Sequence, residues 1–337
     1  MSEHLALLAT HLEAGKVRCE LCAHRCVIRP GQKGLCRVRE NQAGELYSLN
    51  FGRLIASHVD PIEKKPLYHF LPGSLSYSIA SPGCNFRCQW CQNADISQIS
   101  PGNEPGHLRF TPPEHVVAAA VDSGCESISF TYTEPSLSLE YNLEVSRLAQ
   151  EAGLRSVYVT NGYMTAEMLK LTAPTLAAAN VDIKAFDEAV HRRYTGARLQ
   201  PVLETCAALK QAGVWLEVTT LLVPGVNDDE RQVRGLAEFV ASKLGTDVPW
   251  HISRYFPQPQ FREIAATPPE TIFRAIKIGR EVGLKYVYGG NLRASVDTDC
   301  PSCGERVIRR LGYGEAGVDL KDGVCPKCGF PIKGVWK

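Results

Sequence analysis

The run Cys84-Asn85-Phe86-Arg87-Cys88-Gln89-Trp90-Cys91 spaces three thiols as C-x3-C-x2-C, with an aromatic residue directly before the third. Structural iron–sulfur clusters usually recruit four cysteines. Three thiolates suit a [4Fe-4S] cube with one iron left open, where a substrate or cofactor can bind directly. Zinc is the competing reading, but a structural zinc wants four protein ligands and no fourth cysteine lies near Cys91. Two more groups carry metal-ligand spacing. Cys300-Pro301-Ser302-Cys303-Gly304 and Cys325-Pro326-Lys327-Cys328-Gly329 are near-identical knuckles, separated by 21 residues that a hairpin can bridge. They predict a four-thiolate site, most simply zinc, with rubredoxin-type iron as the alternative. Cys19, Cys22, Cys26 and Cys36 form the third group, and Pro30, Gly31 and Gly34 let that segment fold back on itself. Either zinc or an auxiliary [4Fe-4S] cluster satisfies four thiols this close, with zinc, as a simple staple, slightly favoured. Cys125 and Cys206 stand alone and read as small buried apolar residues.

The rest of the composition is that of an ordinary globular protein: 337 residues, 44% hydrophobic, 22% charged, with a formal net charge of +1. With 37 basic against 36 acidic residues, no clustered basic excess marks a nucleic-acid groove or an anionic membrane surface. Arg306, Arg309 and Arg310 are too few to change that. The first residues are too polar for a signal peptide, and no apolar run approaches the ~20 residues of a membrane span. A cytoplasmic location follows as the expectation, and a reducing compartment favours metal ligation over disulfides for the thirteen cysteines.

These cysteines need a scaffold. Strands are expected near 76–81, 127–132, 156–160, 181–184, 215–223, 251–255 and 286–288, with helices near 113–121, 137–152, 201–212, 228–243 and 268–282 between them. Gly124, Gly153, Gly213, Gly245 and Gly283 fall where helix C-caps want glycine. The alternation predicts an α/β fold with a parallel sheet and helices outside, best met by a partial (β/α)6-type TIM barrel, a flat doubly wound sheet being the alternative. In either case ligands gather at the C-terminal strand ends. Three parts are expected: 1–66, an N-terminal helix (Leu5, Leu8 and Leu12 have helical spacing) with the first cysteine group; 67–292, the core; and 293–337, a zinc-ribbon-like or rubredoxin-like module.

The C-x3-C-x2-C loop after a strand resembles the radical S-adenosylmethionine (SAM) superfamily over about residues 67 to 290. The resemblance implies an enzyme whose open iron binds SAM and cleaves it reductively to a 5′-deoxyadenosyl radical. That radical abstracts hydrogen from a protein or small-molecule substrate, with the protein orienting the cofactor and excluding solvent. Further positions are similar to the pyruvate formate-lyase activating enzyme branch. Thr131-Tyr132-Thr133-Glu134-Pro135 stands where that branch has Gly-Gly-Glu-Pro, Thr160-Asn161-Gly162 ends the third strand, and Asp182-Ile183-Lys184 lies in the fourth. Val223-Pro224-Gly225-Val226-Asn227-Asp228 resembles the loop beside the adenine. Trp90, Asn93, Tyr132, Thr133, Glu134, Asn161, Asp182, Lys184 and Val223 are thereby implied to hold SAM, and no catalytic residue is assigned beyond the cluster. Glu134 can equally serve a helix N-terminus, and Asp182 and Lys184 a structural salt bridge. Phe256 stands where the activases carry a histidine, and His251 reads as an interior residue.

Taken with the N-terminal cysteines and the C-terminal knuckles ending in Gly334-Val335-Trp336, the whole chain resembles the AmmeMemoRadiSam system radical SAM enzymes. This implies Memo-like and AMMECR-like protein partners and an electron donor such as flavodoxin or ferredoxin. Two other readings stay open: a glycyl-radical-enzyme activase, and a non-catalytic iron–sulfur and zinc interaction protein.

Overall fold

The computed structural model describes residues 4–100, 104–292, 296–311 and 316–336. Its centre is a sheet of eight strands: β1 Ala56–Pro61, β2 Leu75–Ala80, β3 Ser127–Phe130, β4 Arg155–Thr160, β5 Ala178–Asp182, β6 Trp215–Leu222, β7 Trp250–Arg254 and β8 Val287–Gly290. They lie side by side in strict chain order. β2 to β8 are parallel, and β1 runs antiparallel along β2. A doubly wound sheet would reverse its strand order at a switch point. An order that never reverses, joined by right-handed crossovers, puts all the helices on one face and leaves the other concave face to side chains. Six β/α units followed by a last strand make this the partial barrel, left open because β8 does not pair with β1.

All seven sequence-predicted strands and five helices occur, the latter as Pro113–Asp122, Leu139–Glu151, Gln200–Gln211, Glu230–Phe239 with a π-turn to Leu244, and Pro269–Glu281. The five glycines that follow them all adopt positive φ. Several elements escaped the sequence reading, three of them in the core. Ala166–Thr172 and Glu188–Thr195 are short, and their caps, Thr165 and Asp187, lack a long apolar stripe to announce them. β1 is a half-exposed edge strand ending in proline, which carries no alternation to detect.

The N-terminal segment corrects the expected helix. His4–Leu5 pairs with Glu45–Ser48, and Ala9–His11 pairs with Val17–Cys19, within two small antiparallel sheets. Leu8 takes φ +58° between the two strands, Leu5 and Leu7 are exposed, and Ala6 is buried, so cross-strand pairing overrides the i, i+3 leucine spacing. The 1–66 unit is also not separate, because β1 belongs to the core sheet. Arg39 and Glu140, both buried, lock this module to the helix Leu139–Glu151 through two bonds of 2.7 Å. The boundary expected at 293 falls on residues outside those described.

The C-terminal residues form a three-stranded antiparallel sheet, Thr298–Asp299, Arg306–Arg310 and Ala316–Val318, docked on the core by a directed hydrogen-bond chain. Arg310 Nη1 donates to Thr298 Oγ1 (2.9 Å), whose hydroxyl lies 2.7 Å from that of Tyr288. The Tyr288 hydroxyl is 2.6 Å from His69 Nε2, and His69 Nδ1 is 2.8 Å from the Lys333 carbonyl. Arg310 is thus buried in the docking surface, while Arg306 pairs with Asp297 and Asp299 and Arg309 with Asp319, so the three arginines form no free basic patch. Burial holds the His69 imidazole down to about 4. An unfolded histidine titrates near 6.5, so between roughly 6.5 and 4 the unfolded chain binds the extra proton, and stability should fall by up to about 3 kcal/mol as pH drops through that window. Unfolding midpoints at pH 7 and pH 4.5 check this. His69→Gln should flatten the pH slope relative to the parent chain, and identical slopes would remove His69 as its source.

Candidate active site

β2 ends at Ala80 and the chain turns through Gly83, at φ +115°, into Cys84. Only glycine fits there, since a Cβ would lie 2.9 Å from Val38 of the N-terminal module. The loop beyond is anchored by its backbone: Arg87 N donates to Thr195 O (2.7 Å) and Gln89 N to Tyr194 O (3.2 Å). Cys84, Cys88 and Cys91 face one cavity of about 320 Å³ at the C-terminal strand ends. Phe86 N (3.4 Å) and Asn161 Nδ2 (3.8 Å) approach Cys84 Sγ, and Ser97 Oγ lies 3.5 Å from Cys91 Sγ. Burial pushes the Cys88 thiol up to about 12, with the Lys184 ammonium pulling the other way. These are sulfurs that a cationic iron centre would convert to thiolates.

Of the nine residues implied to hold SAM, eight line this cavity: Trp90, Asn93, Tyr132, Thr133, Glu134, Asn161, Asp182 and Lys184. Val223 does not. β6 ends at Leu222, and Val223 after it is buried in one apolar cluster with Trp90, Val226 and Tyr255.

Glu134 is 2% exposed and held on three sides. Its Oε1 accepts from Ser136 N (3.1 Å) and Thr160 Oγ1 (2.7 Å), and Oε2 from Asn161 N (2.8 Å). The carboxylate therefore caps the turn Pro135–Ser138 and also pins the end of β4. A carboxylate accepts about four hydrogen bonds, so capacity for one more donor remains. Burial raises its pKa despite these bonds, and a cation placed beside it would reverse that shift.

Tyr132 adopts φ +66°, the left-handed conformation that costs glycine nothing. Its side chain holds it there. The hydroxyl donates to Asp60 on β1, Lys65 Nζ sits 4.7 Å above the ring, and Asn93 Nδ2 donates to the Tyr132 carbonyl at 2.8 Å. Thr133 Oγ1 donates to Ser81 O at 2.6 Å. At the end of β5, Asp182 Oδ2 and Lys184 Nζ pair at 2.9 Å on the cavity wall. Burial opposes the Lys184 charge, but Asp182 and the Cys88 thiol raise its pKa above the ordinary lysine value.

His251 lies outside the cavity. Its Nε2 meets Glu217 Oε2 at 2.6 Å in the barrel interior, a satisfied buried pair. The cavity also draws in Lys64, Thr219, Ser253 and Asn291. Thr219 and Ser253 were reachable from sequence as positions within the predicted strands 215–223 and 251–255. Lys64 was not, since it follows the unrecognised β1.

The chain belongs to the radical SAM superfamily, whose family profile matches residues 78–236, from β2 into the helix after β6. An uncharacterized protein of Methanocaldococcus jannaschii is 40% identical over 331 residues, covering 97% of this chain and 98% of that one. The pyruvate formate-lyase-activating enzyme of Clostridium pasteurianum is 26% identical over 168 residues, 47% of this chain and 66% of that enzyme. A GTP 3′,8-cyclase of Xanthomonas axonopodis pv. citri is 31% identical over 153 residues, and the chain spans 46% of its length. Among solved structures, a radical SAM methyltransferase from Sphaerobacter thermophilus matches with a TM-score of 0.53 at 18% identity, over 70% of this chain and 71% of the other. SuiB of Streptococcus suis bound to S-adenosylmethionine gives 0.52 at 11% identity, over 69% and 53%. These two likenesses are likenesses of fold.

Proposed function

We propose that the chain is a radical SAM enzyme that binds a [4Fe-4S] cluster on Cys84, Cys88 and Cys91, takes SAM into the adjoining cavity and abstracts hydrogen from a substrate. The observation that carries this is convergence: three thiols with no fourth thiol among the described residues of the lining, a buried carboxylate with spare acceptor capacity and a Lys–Asp pair all meet at one strand-end cavity. The donor set fits the group, since three thiols stand on a loop fixed by its own backbone bonds and leave one iron for a small ligand. When bound, cluster and SAM supply one-electron cleavage of the sulfonium and the resulting 5′-deoxyadenosyl radical. The chain's residues do the rest. Glu134 accepts from the SAM ammonium, Asp182 and Lys184 offer paired charges to carboxylate or ribose, and Trp90, backed by Val223, closes the wall against water.

Glu134→Gln removes a charge-assisted contact worth roughly 1.5–3 kcal/mol. SAM affinity should weaken by about one to two decades at unchanged iron content. Equal affinity in both proteins would return Glu134 to capping alone. The similarity to an activating enzyme favours a glycyl-radical activase as the second reading. Deuterium transfer into 5′-deoxyadenosine, from labelled metabolites on one side and labelled partner proteins on the other, separates the two. The full-length resemblance from the cysteine groups supports Memo-like and AMMECR-like partners, and the chemistry calls for a flavodoxin or ferredoxin donor. A cytoplasmic setting suits both. Among the described residues no helix is long and apolar enough to cross a membrane.

The C-terminal knuckles suit zinc. Cys300 and Cys328 sulfurs are 3.7 Å apart, as are those of Cys303 and Cys325, and all four lie within 4.8 Å of one another. Around one tetrahedral zinc with bonds of about 2.3 Å, sulfurs stand about 3.8 Å apart. Each knuckle closes alike, Gly304 N on Cys300 O and Gly329 N on Cys325 O, both at 2.9 Å. The Phe330 amide draws the Cys328 thiol down to about 7.

A further inference from the structure

We propose that Cys19, Cys22, Cys26 and Cys36 hold a second [4Fe-4S] cluster, and not the zinc ion that their sequence slightly favours. The inference does not depend on what the core cluster does with SAM. The four cysteines line one apolar space, closed by Leu21, Ile28, Leu35 and Leu137. Three of the four are buried. Their sulfurs keep a wider spacing than those of the knuckles. Among the described residues, the C-terminal group alone brings three or more such ligand atoms within 4.8 Å of one another. One zinc needs its four sulfurs at about 3.8 Å, whereas thiolates on separate corners of an iron–sulfur cube stand roughly 6 Å apart. Cys84, Cys88 and Cys91 share the wider spacing. Neither of these two groups draws its sulfurs as close together as the knuckles do.

The walls add a second, independent observation. Arg39, 1% exposed, and Asn85, 5% exposed, both line this space. Arg39 Nε is a buried donor with no hydrogen-bonded acceptor, and the Asn85 side chain bonds to the Cys22 thiol. Every other arm of these side chains is used: the Arg39 Nη atoms on Glu140 and Leu137 O, and Asn85 Oδ1 on Asn161 Nδ2 at 2.8 Å. Leaving a buried guanidinium donor empty costs free energy that a sulfur-rich occupant would recover, because a cube presents bridging sulfides as well as thiolates as acceptors. The module also abuts the core loop directly. Arg87 Nη2 donates to Leu35 O at 2.6 Å, and Asn85 follows Cys84 in the chain.

The test is metal and inorganic sulfide counting, with Mössbauer spectra, on full-length protein purified without oxygen. The parent chain should hold about eight irons and one zinc, and Cys84→Ala/Cys88→Ala/Cys91→Ala about four irons, four sulfides and one zinc, with a [4Fe-4S] spectrum. The converse variant, Cys22→Ala/Cys36→Ala, should also lose half its iron with zinc unchanged. If that variant does not fold, the core variant decides alone. Iron near zero in the core variant, with one zinc or two, overturns the proposal. It would leave the SAM reading untouched, because that rests on activity of the parent chain.

Discussion

Alanine at Cys84, Cys88 and Cys91 together is expected to abolish reductive SAM cleavage while the barrel stays folded. The loss should be complete, because the electron reaches SAM only through the iron that these thiolates hold. The fold should survive because the loop does not depend on metal for its shape. Arg87 N and Gln89 N are bonded to Thr195 O and Tyr194 O, and Phe86 is buried against Tyr163 and His191, at ring separations of 5.3 and 5.7 Å. Far-UV circular dichroism and the unfolding midpoint should match the parent protein, with 5′-deoxyadenosine at background. Undiminished cleavage in a folded variant would place the chemistry elsewhere in the chain.

The second large effect is on stability. Glu217, fully buried on β6, accepts four hydrogen bonds: His69 N (2.8 Å) and Trp215 Nε1 (3.0 Å) on Oε1, Tyr68 N (3.0 Å) and His251 Nε2 (2.6 Å) on Oε2. Burial opposes its charge, yet the His251 ring and the other donors prevail and hold the carboxyl below the ordinary carboxylate range. In Glu217→Gln, one oxygen becomes an NH2 facing two donors, and the backbone that carries Tyr68 and His69 to the C-terminal module loses its anchor. The expected loss is about 3–5 kcal/mol, the scale for breaking a buried charged network by removing one partner. Denaturant unfolding measures it. A loss under 1 kcal/mol would mean that the segment is held by its other contacts.

Much of this was legible because it repeats locally. The strand–helix alternation and capping glycines specified the core, and strand period two placed Asp182 and Lys184 on one wall. Other features resisted because they depend on distant partners. β1 is a strand only because β2 offers it an edge, and residues 4 to 11 are extended only because Glu45–Ser48 and Val17–Cys19 pair with them. Val223 joins the buried cluster around Trp90, just beyond the end of its strand, through packing that its own apolar run does not reveal. The left-handed Tyr132 was hidden for a similar reason, since what stabilises it is Asp60 and Asn93. Sequence spacing alone likewise could not separate zinc from a cube at Cys19–Cys36, because both take four thiols. The wider placement of these thiols in the folded chain, compared with the knuckles, is visible only in three dimensions.

The most direct test of the central claim is anaerobic incubation of the cluster-replete parent protein with SAM and a strong one-electron reductant, with chromatographic detection of nucleoside products. The account predicts 5′-deoxyadenosine and methionine in equal amounts, formed only when the reductant is present. A protein that carries its core iron and binds SAM, yet releases no 5′-deoxyadenosine above the reductant-free control, would contradict it.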